Sequence, residues 1–91
     1  MLVLTLLGCL TSNNFDSRFA AAQCAYAQEC EVLDLEGFST LSECENETVF
    51  LPDDCEEFDR KQAQKCIEAV TTMTCEEGMS GTPRACNTLC P

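Results

Sequence analysis

Nine cysteines stand in a chain of 91 residues, and this constrains the possible folds more than any other property of the sequence. They are Cys9, Cys24, Cys30, Cys44, Cys55, Cys66, Cys75, Cys86 and Cys90. Below roughly 80 residues a hydrophobic core alone barely offsets chain entropy, and small chains add disulfide staples. A reducing cytosol would keep such thiols apart, so the density of cysteine points to an oxidising compartment. Nine is odd. With Cys9 set aside, the remaining eight form four bridges with no thiol left over, and parity therefore gives Cys9 a different task.

Met1 to Leu7 is an apolar run, far short of the about 20 residues a helix needs to span a bilayer. It reads as the end of a signal-peptide apolar region, so residues 1–8 are taken as a signal remnant. No basic residue precedes the run, and the expected start of such a signal lies further upstream. Leu6-Leu7-Gly8-Cys9 resembles a bacterial lipobox, with a hydrophobic residue three before the cysteine and a small one immediately before it. Leu7 is bulkier than the family's usual middle residue. The resemblance implies cleavage before Cys9, a diacylglycerol on its sulfur and acylation of the new amine. An ordinary cleaved signal and a buried N-terminal helix are the other readings of this run. Leu10-Thr11-Ser12-Asn13-Asn14 lacks a structural period and is expected to be a polar tether, so residues 9–14 are read as anchor plus linker.

From Asn14 the pattern is helical. Phe15, Phe19, Ala22, Tyr26, Cys30 and Leu33 recur at steps of three and four in an alanine-rich segment, predicting a helix over 16–33 with one apolar seam and a stop at Gly37. Thr40-Leu41-Ser42-Glu43 fits a capping box and starts a second helix over 41–50, ended by Leu51-Pro52. Asp59, with Gln62 three residues on, caps a third, whose face carries Ala63, Cys66, Ile67 and Val70. A further box sits at Thr74-Cys75-Glu76-Glu77, before breaks at Gly78 and Gly81. Thr82-Pro83 opens a last short helix, expected to hold Cys86 and Cys90 on one face. No run alternates with period two. The fold expected over 15–91 is all-α: a small disulfide-stapled bundle of three helices plus a short C-terminal helix.

Eight cysteines allow about a hundred connectivities, and spacing alone does not choose among them. A bridge needs Cα atoms about 4.4–6.8 Å apart. Six residues of helix rise carry Cys24 about 9 Å from Cys30, so each must pair elsewhere. Cys86 and Cys90 are also expected to reach other elements. Cys30–Cys44, closing the first interhelical loop, is the single pairing expected.

Charge and inventory exclude several functions. Sixteen acidic residues against five basic ones give a net charge of −11, the wrong sign for a nucleic-acid surface or for electrostatic docking on anionic lipid. Twelve of the acids lie between Glu29 and Asp59 with no Lys or Arg among them. They read as a solvated face, with a basic protein partner or a cation as the alternative. There is no histidine, which removes Ser-His and Cys-His catalysis and the usual ligands of catalytic zinc. No C-x-x-C motif occurs. Asp53, Asp54, Glu56, Glu57 and Asp59 are candidate calcium ligands, but without the alternation or the glycine turn of an EF-hand loop. Carboxylates are abundant enough for a glycosidase-like pair, yet the chain has no Trp and one Tyr to line a sugar cleft. Phe15, Phe19 and Tyr26 read as core. Asn46-Glu47-Thr48 is a glycosylation sequon that matters only in a eukaryotic secretory route. No catalytic residue, cofactor or metal site is expected.

Beyond LLGC, several features resemble the small cysteine-rich lipoproteins that some bacteria encode in many divergent copies. These are Cys24-x5-Cys30 on an alanine-rich helix, Phe38 with Cys44, QKCIEAV around Cys66, TCEE at Cys75 and TPRACNTLC at the end. The resemblance covers most of the chain after Cys9. It implies an envelope or extracellular helical domain of unestablished role, with Cys9 as the lipid-bearing residue. The expectation is a non-enzymatic module anchored to the outer membrane of the cell envelope through a lipid on Cys9, acting as an interaction or structural protein. The alternative is a released, secreted acidic effector or inhibitor that binds a target.

Overall fold

The computed structural model describes residues 10–52 and 54–90. The expected signal remnant 1–8, the expected lipid site Cys9, and Asp53 of the acidic cluster lie outside the described residues. Four α-helices form among the described residues: α1 Phe15–Glu29, α2 Leu41–Glu47, α3 Arg60–Thr72 and α4 Cys75–Met79. Two 3-10 segments, Asp34–Glu36 and Arg84–Thr88, complete the fold. No strand forms among the described residues. The fold is small, all-α and disulfide-rich.

The helices pack in a row, α2 against α1, α1 against α3, and α3 against the 3-10 helix Arg84–Thr88. α1 is therefore covered on two sides, and this explains its composition. Phe15 and Phe19 enter the main core with Leu10, Leu51, Ala63, Cys66, Val70, Cys86 and Leu89. Ala20, Cys24 and Ala27, spaced four and three apart, form a second buried stripe on α1, which the Cys24–Cys44 bridge joins to α2. The single seam expected from sequence is thus two. Small residues on the α2 side let that helix approach closely, while aromatics fill the space toward α3. Phe15, Phe19, Phe50 and Phe58 form one aromatic cluster, with the Phe19 and Phe50 ring centres 4.6 Å apart.

Caps set the element boundaries. The Asp59 side chain accepts the Gln62 amide N–H at 3.0 Å and starts α3 as expected. Gln62 does not close the box; its side-chain amide donates to Thr88 Oγ1 and ties α3 to the last 3-10 helix instead. Thr40 Oγ1 accepts from the Glu43 amide, while Glu43 reaches back to the amide of Ser39. Both halves of the Thr74/Glu77 box form, and the segment expected to break there makes the five-residue α4.

Helix α1 ends at Glu29, four residues before its expected end. Glu31 adopts φ 59°, the Glu31 amide donates to Gln28 O, and the Val32 amide donates to Ala27 O. This is a Schellman termination with glutamate in the left-handed place usually held by glycine. Gly37, with φ 91°, ends the following 3-10 turn. α2 stops at Glu47 rather than 50. There the Thr48 hydroxyl donates to Cys44 O at 2.7 Å, and the chain turns extended. The C-terminal element is 3-10, and Cys90 lies beyond it, so Cys86 and Cys90 do not share a helical face.

Four bridges join Cys24–Cys44, Cys30–Cys75, Cys55–Cys90 and Cys66–Cys86, with Cα separations from 4.7 to 5.9 Å. As expected, Cys24 and Cys30 pair elsewhere, and Cys86 and Cys90 each reach another element. The expected pair Cys30–Cys44 does not form. The early end of α1 turns Cys30 toward α4, and the buried stripe presents Cys24 to α2 instead.

Candidate functional site

Three places carry the residues singled out by the sequence: the amino end of the domain, the acidic loop before α3, and a cleft between α1, α3 and α4.

The amino end is not a loose tether. Leu10 is 4% exposed and belongs to the main core. Thr11 and Asn14 then lock a turn. The Thr11 amide donates to Asn14 Oδ1 at 2.8 Å, and the Phe15 amide donates to Thr11 O at 2.9 Å. The short polar side chains that looked like linker composition serve instead to close this turn before α1. In the first turn of α1, Asp16 Oδ1 accepts the amides of both Phe50 and Leu51, at 2.9 and 3.0 Å. That carboxylate pins the chain leading to the acidic loop against the start of α1.

The acidic loop holds Asp54, Glu56 and Glu57 exposed around Cys55. Asp59 is committed to capping α3. Among the described residues no three His, Cys, Asp or Glu side chains converge on a point that could hold a metal ion. Cys86 and Cys90 are both consumed by disulfides. The described carboxylates Asp54, Glu56 and Glu57 present a negatively charged surface. No helix among the described residues is long and apolar enough to cross a membrane. In the sequon, Asn46 is exposed on α2, while the Thr48 hydroxyl is engaged with Cys44 O.

The cleft was not foreseen from the sequence. It has a volume of about 280 Å³ and is walled by Ala22, Ala25 and Tyr26 from α1, Val70 and Met73 from the end of α3, and the Cys30–Cys75 bridge. Its size sits near the lower limit of small-molecule pockets. Tyr26 is buried as expected, and its hydroxyl donates to Cys75 O at 2.9 Å. The ring lies directly against Gly78, where a Cβ would collide with the aromatic carbons and the hydroxyl oxygen. A glycine inside a helical segment was the available signal of close approach. Gly78→Ala is expected to push the Tyr26 ring off Cys75 O and to destabilise the domain by about 1–3 kcal/mol, as overpacked sites do. Denaturant melts together with the Tyr26 ring resonances measure both effects. Unchanged resonances would contradict the contact.

Leu35, Val49 and Met79 are the large apolar side chains left exposed among the described residues, on the first 3-10 segment, the chain after α2 and the end of α4. Comparisons with protein-family models, with curated proteins and with solved structures find no match to this chain.

Proposed function

We propose that this protein is a non-enzymatic cell-envelope module, held at the outer membrane by a lipid on Cys9, whose bridged helical domain serves as a structural or interaction element. The observation that carries the reading is arithmetic. The four bridges use all eight cysteines from Cys24 to Cys90, so none remains within the chain to pair with Cys9. A free exposed thiol in an oxidising space would form adventitious mixed disulfides, whereas a thioether to diacylglycerol removes it. The lipobox-like LLGC sequence supports the same assignment. Likeness to the small cysteine-rich lipoproteins of bacteria belongs to this proposal as well.

The absence of histidine from the sequence and the commitment of Asp16 and Asp59 to backbone amides support a non-catalytic role. A released acidic effector is the second reading. It draws on the exposed carboxylates from Glu31 through Glu57, which suit a basic protein partner.

Intact mass of the protein from its own host, with Cys9→Ser alongside, tests the proposal. The expected result is a chain that begins at an acylated Cys9 and partitions into detergent, with the variant lost from the membrane fraction. An unlipidated chain lacking Cys9 would overturn the anchor and favour the released effector.

A further inference from the structure

Two of the four bridges are sealed and two are not. Cys24–Cys44 is fully buried, and in Cys66–Cys86 neither residue is more than 2% exposed. Cys55 and Cys90 are half-buried, whereas Cys75 is exposed beside a half-buried Cys30. The most open bridge also holds the least supported helix. α4 contains no buried residue and shares no extended interface with any other helix. It is fastened to α1 by the Cys30–Cys75 bond, by the Tyr26 hydroxyl on Cys75 O, and by the seat of the Tyr26 ring against Gly78. Beneath that attachment lies the cleft walled by Val70, Met73 and Tyr26. Other bridges clasp the rest of the fold. α2 is clasped to α1 by Cys24–Cys44, and the last 3-10 helix to α3 by Cys66–Cys86.

We propose that Cys30–Cys75 is a site of thiol–disulfide exchange with a dithiol, and that α4 is a flap which this exchange releases from the cleft between α1 and α3. One thiolate of the dithiol attacks the sulfur of the exposed residue Cys75. The Cys30–Cys75 bond breaks, a mixed disulfide forms at Cys75, and Cys30 leaves as a thiolate that takes a proton from solvent. The second thiol of the dithiol then attacks its own sulfur in the mixed disulfide. It expels Cys75, which is protonated in turn. Two electrons pass from the dithiol, now a cyclic disulfide, into the bridge. With the covalent clasp gone, the Tyr26 hydroxyl and ring contacts are what remains of the described attachment of α4 to α1, and the mouth of the apolar cleft widens.

Glu29, Glu31, Glu76 and Glu77 lie within two residues of the two cysteines in sequence. Their charge repels an incoming thiolate, so the exchange speeds up as salt screens it. In an oxidising compartment the clasp stays closed until a dithiol reaches it.

The test is limited reduction of the full-length oxidised Cys9→Ser protein with dithiothreitol, quenched by alkylation and mapped by peptide mass. Cys30 and Cys75 are expected to be labelled about tenfold faster than Cys24, Cys44, Cys66 and Cys86, because exchange follows access to the sulfur. The rate should rise with salt, and helical circular dichroism should persist at that stage. A Glu-specific protease should then cut at Glu76 or Glu77. Labelling of Cys55 and Cys90 first, or of all eight cysteines together, would overturn the site. Cys30→Ser/Cys75→Ser separates flap from site. Rapid amide exchange across α4 in an otherwise intact fold is expected. An α4 as protected as in the parent, or a variant that cannot fold, would make the bridge a plain strut and overturn the flap.

Discussion

Excess reductant is expected to erase the helical circular dichroism of this protein and leave an unfolded chain. The reason lies in how little else holds the elements together. α2 buries Cys44 and no other residue, so it has no apolar face of its own to keep it on α1. α4 buries nothing. Among the described residues the main core counts nine buried ones, and two of them, Cys66 and Cys86, are a disulfide. Each bridge is worth about 2–4 kcal/mol through the constraint it places on the unfolded chain. Four together match or exceed the net stability of an ordinary domain, about 5–15 kcal/mol. Far-UV circular dichroism across a reductant titration measures this. Retention of the full helical signal after all eight cysteines are alkylated would show that the helices need no covalent support.

Phe15→Ala is expected to be the most damaging single substitution that leaves every bridge intact. Phe15 is 0% exposed and sits at the hub of the aromatic cluster, its ring centre 5.7 Å from Phe19, 5.8 Å from Phe58 and 6.2 Å from Phe50. Those partners come from three different parts of the chain, and they cannot collapse together into the space a removed ring leaves. Buried phenylalanine-to-alanine changes cost about 3–5 kcal/mol, the cavity included. Guanidinium melts of the oxidised protein should register that loss. Leu35→Ala, at a site 76% exposed, should change stability by less than about 0.5 kcal/mol. A loss below about 1 kcal/mol for Phe15→Ala would mean that the bridges, not the aromatic cluster, define the native packing.

The parts of the fold readable in the sequence are those decided within a few neighbouring residues. Thr40 and Asp59 each cap the helix expected of them, and the box read at Thr74 forms too although no helix was expected behind it, because a cap needs only a short polar side chain and an amide two or three positions on. The period of Phe15, Phe19 and Tyr26 marks a helix for the same local reason. What escapes such reading is settled across the chain. Nothing about Glu31 announces a left-handed residue, since that conformation goes with a chain path that carries Cys30 to Cys75, and the expected end of α1 falls four residues too late. The pairing of Cys24 with Cys44 follows from which face of α1 meets α2, a matter of packing between helices. The cleft has no sequence signature beyond Gly78, because its walls come from three helices. Leu10 reads as linker from its polar neighbours, although its own side chain belongs to the core.

That last residue sets the leash of the domain. One peptide unit spans at most about 3.6 Å, so whatever holds position 9 is fastened almost directly to a core side chain. A long linker would let the domain tumble and sweep a hemisphere of space. With the proposed anchor on Cys9, the point of attachment would lie next to the buried Leu10, so the helix row would have little reach from its support and the same flanks would tend to face outward. A partner approaching a domain held in that way would meet a surface of restricted orientation, with part of the entropy of aligning it already spent when the chain folds.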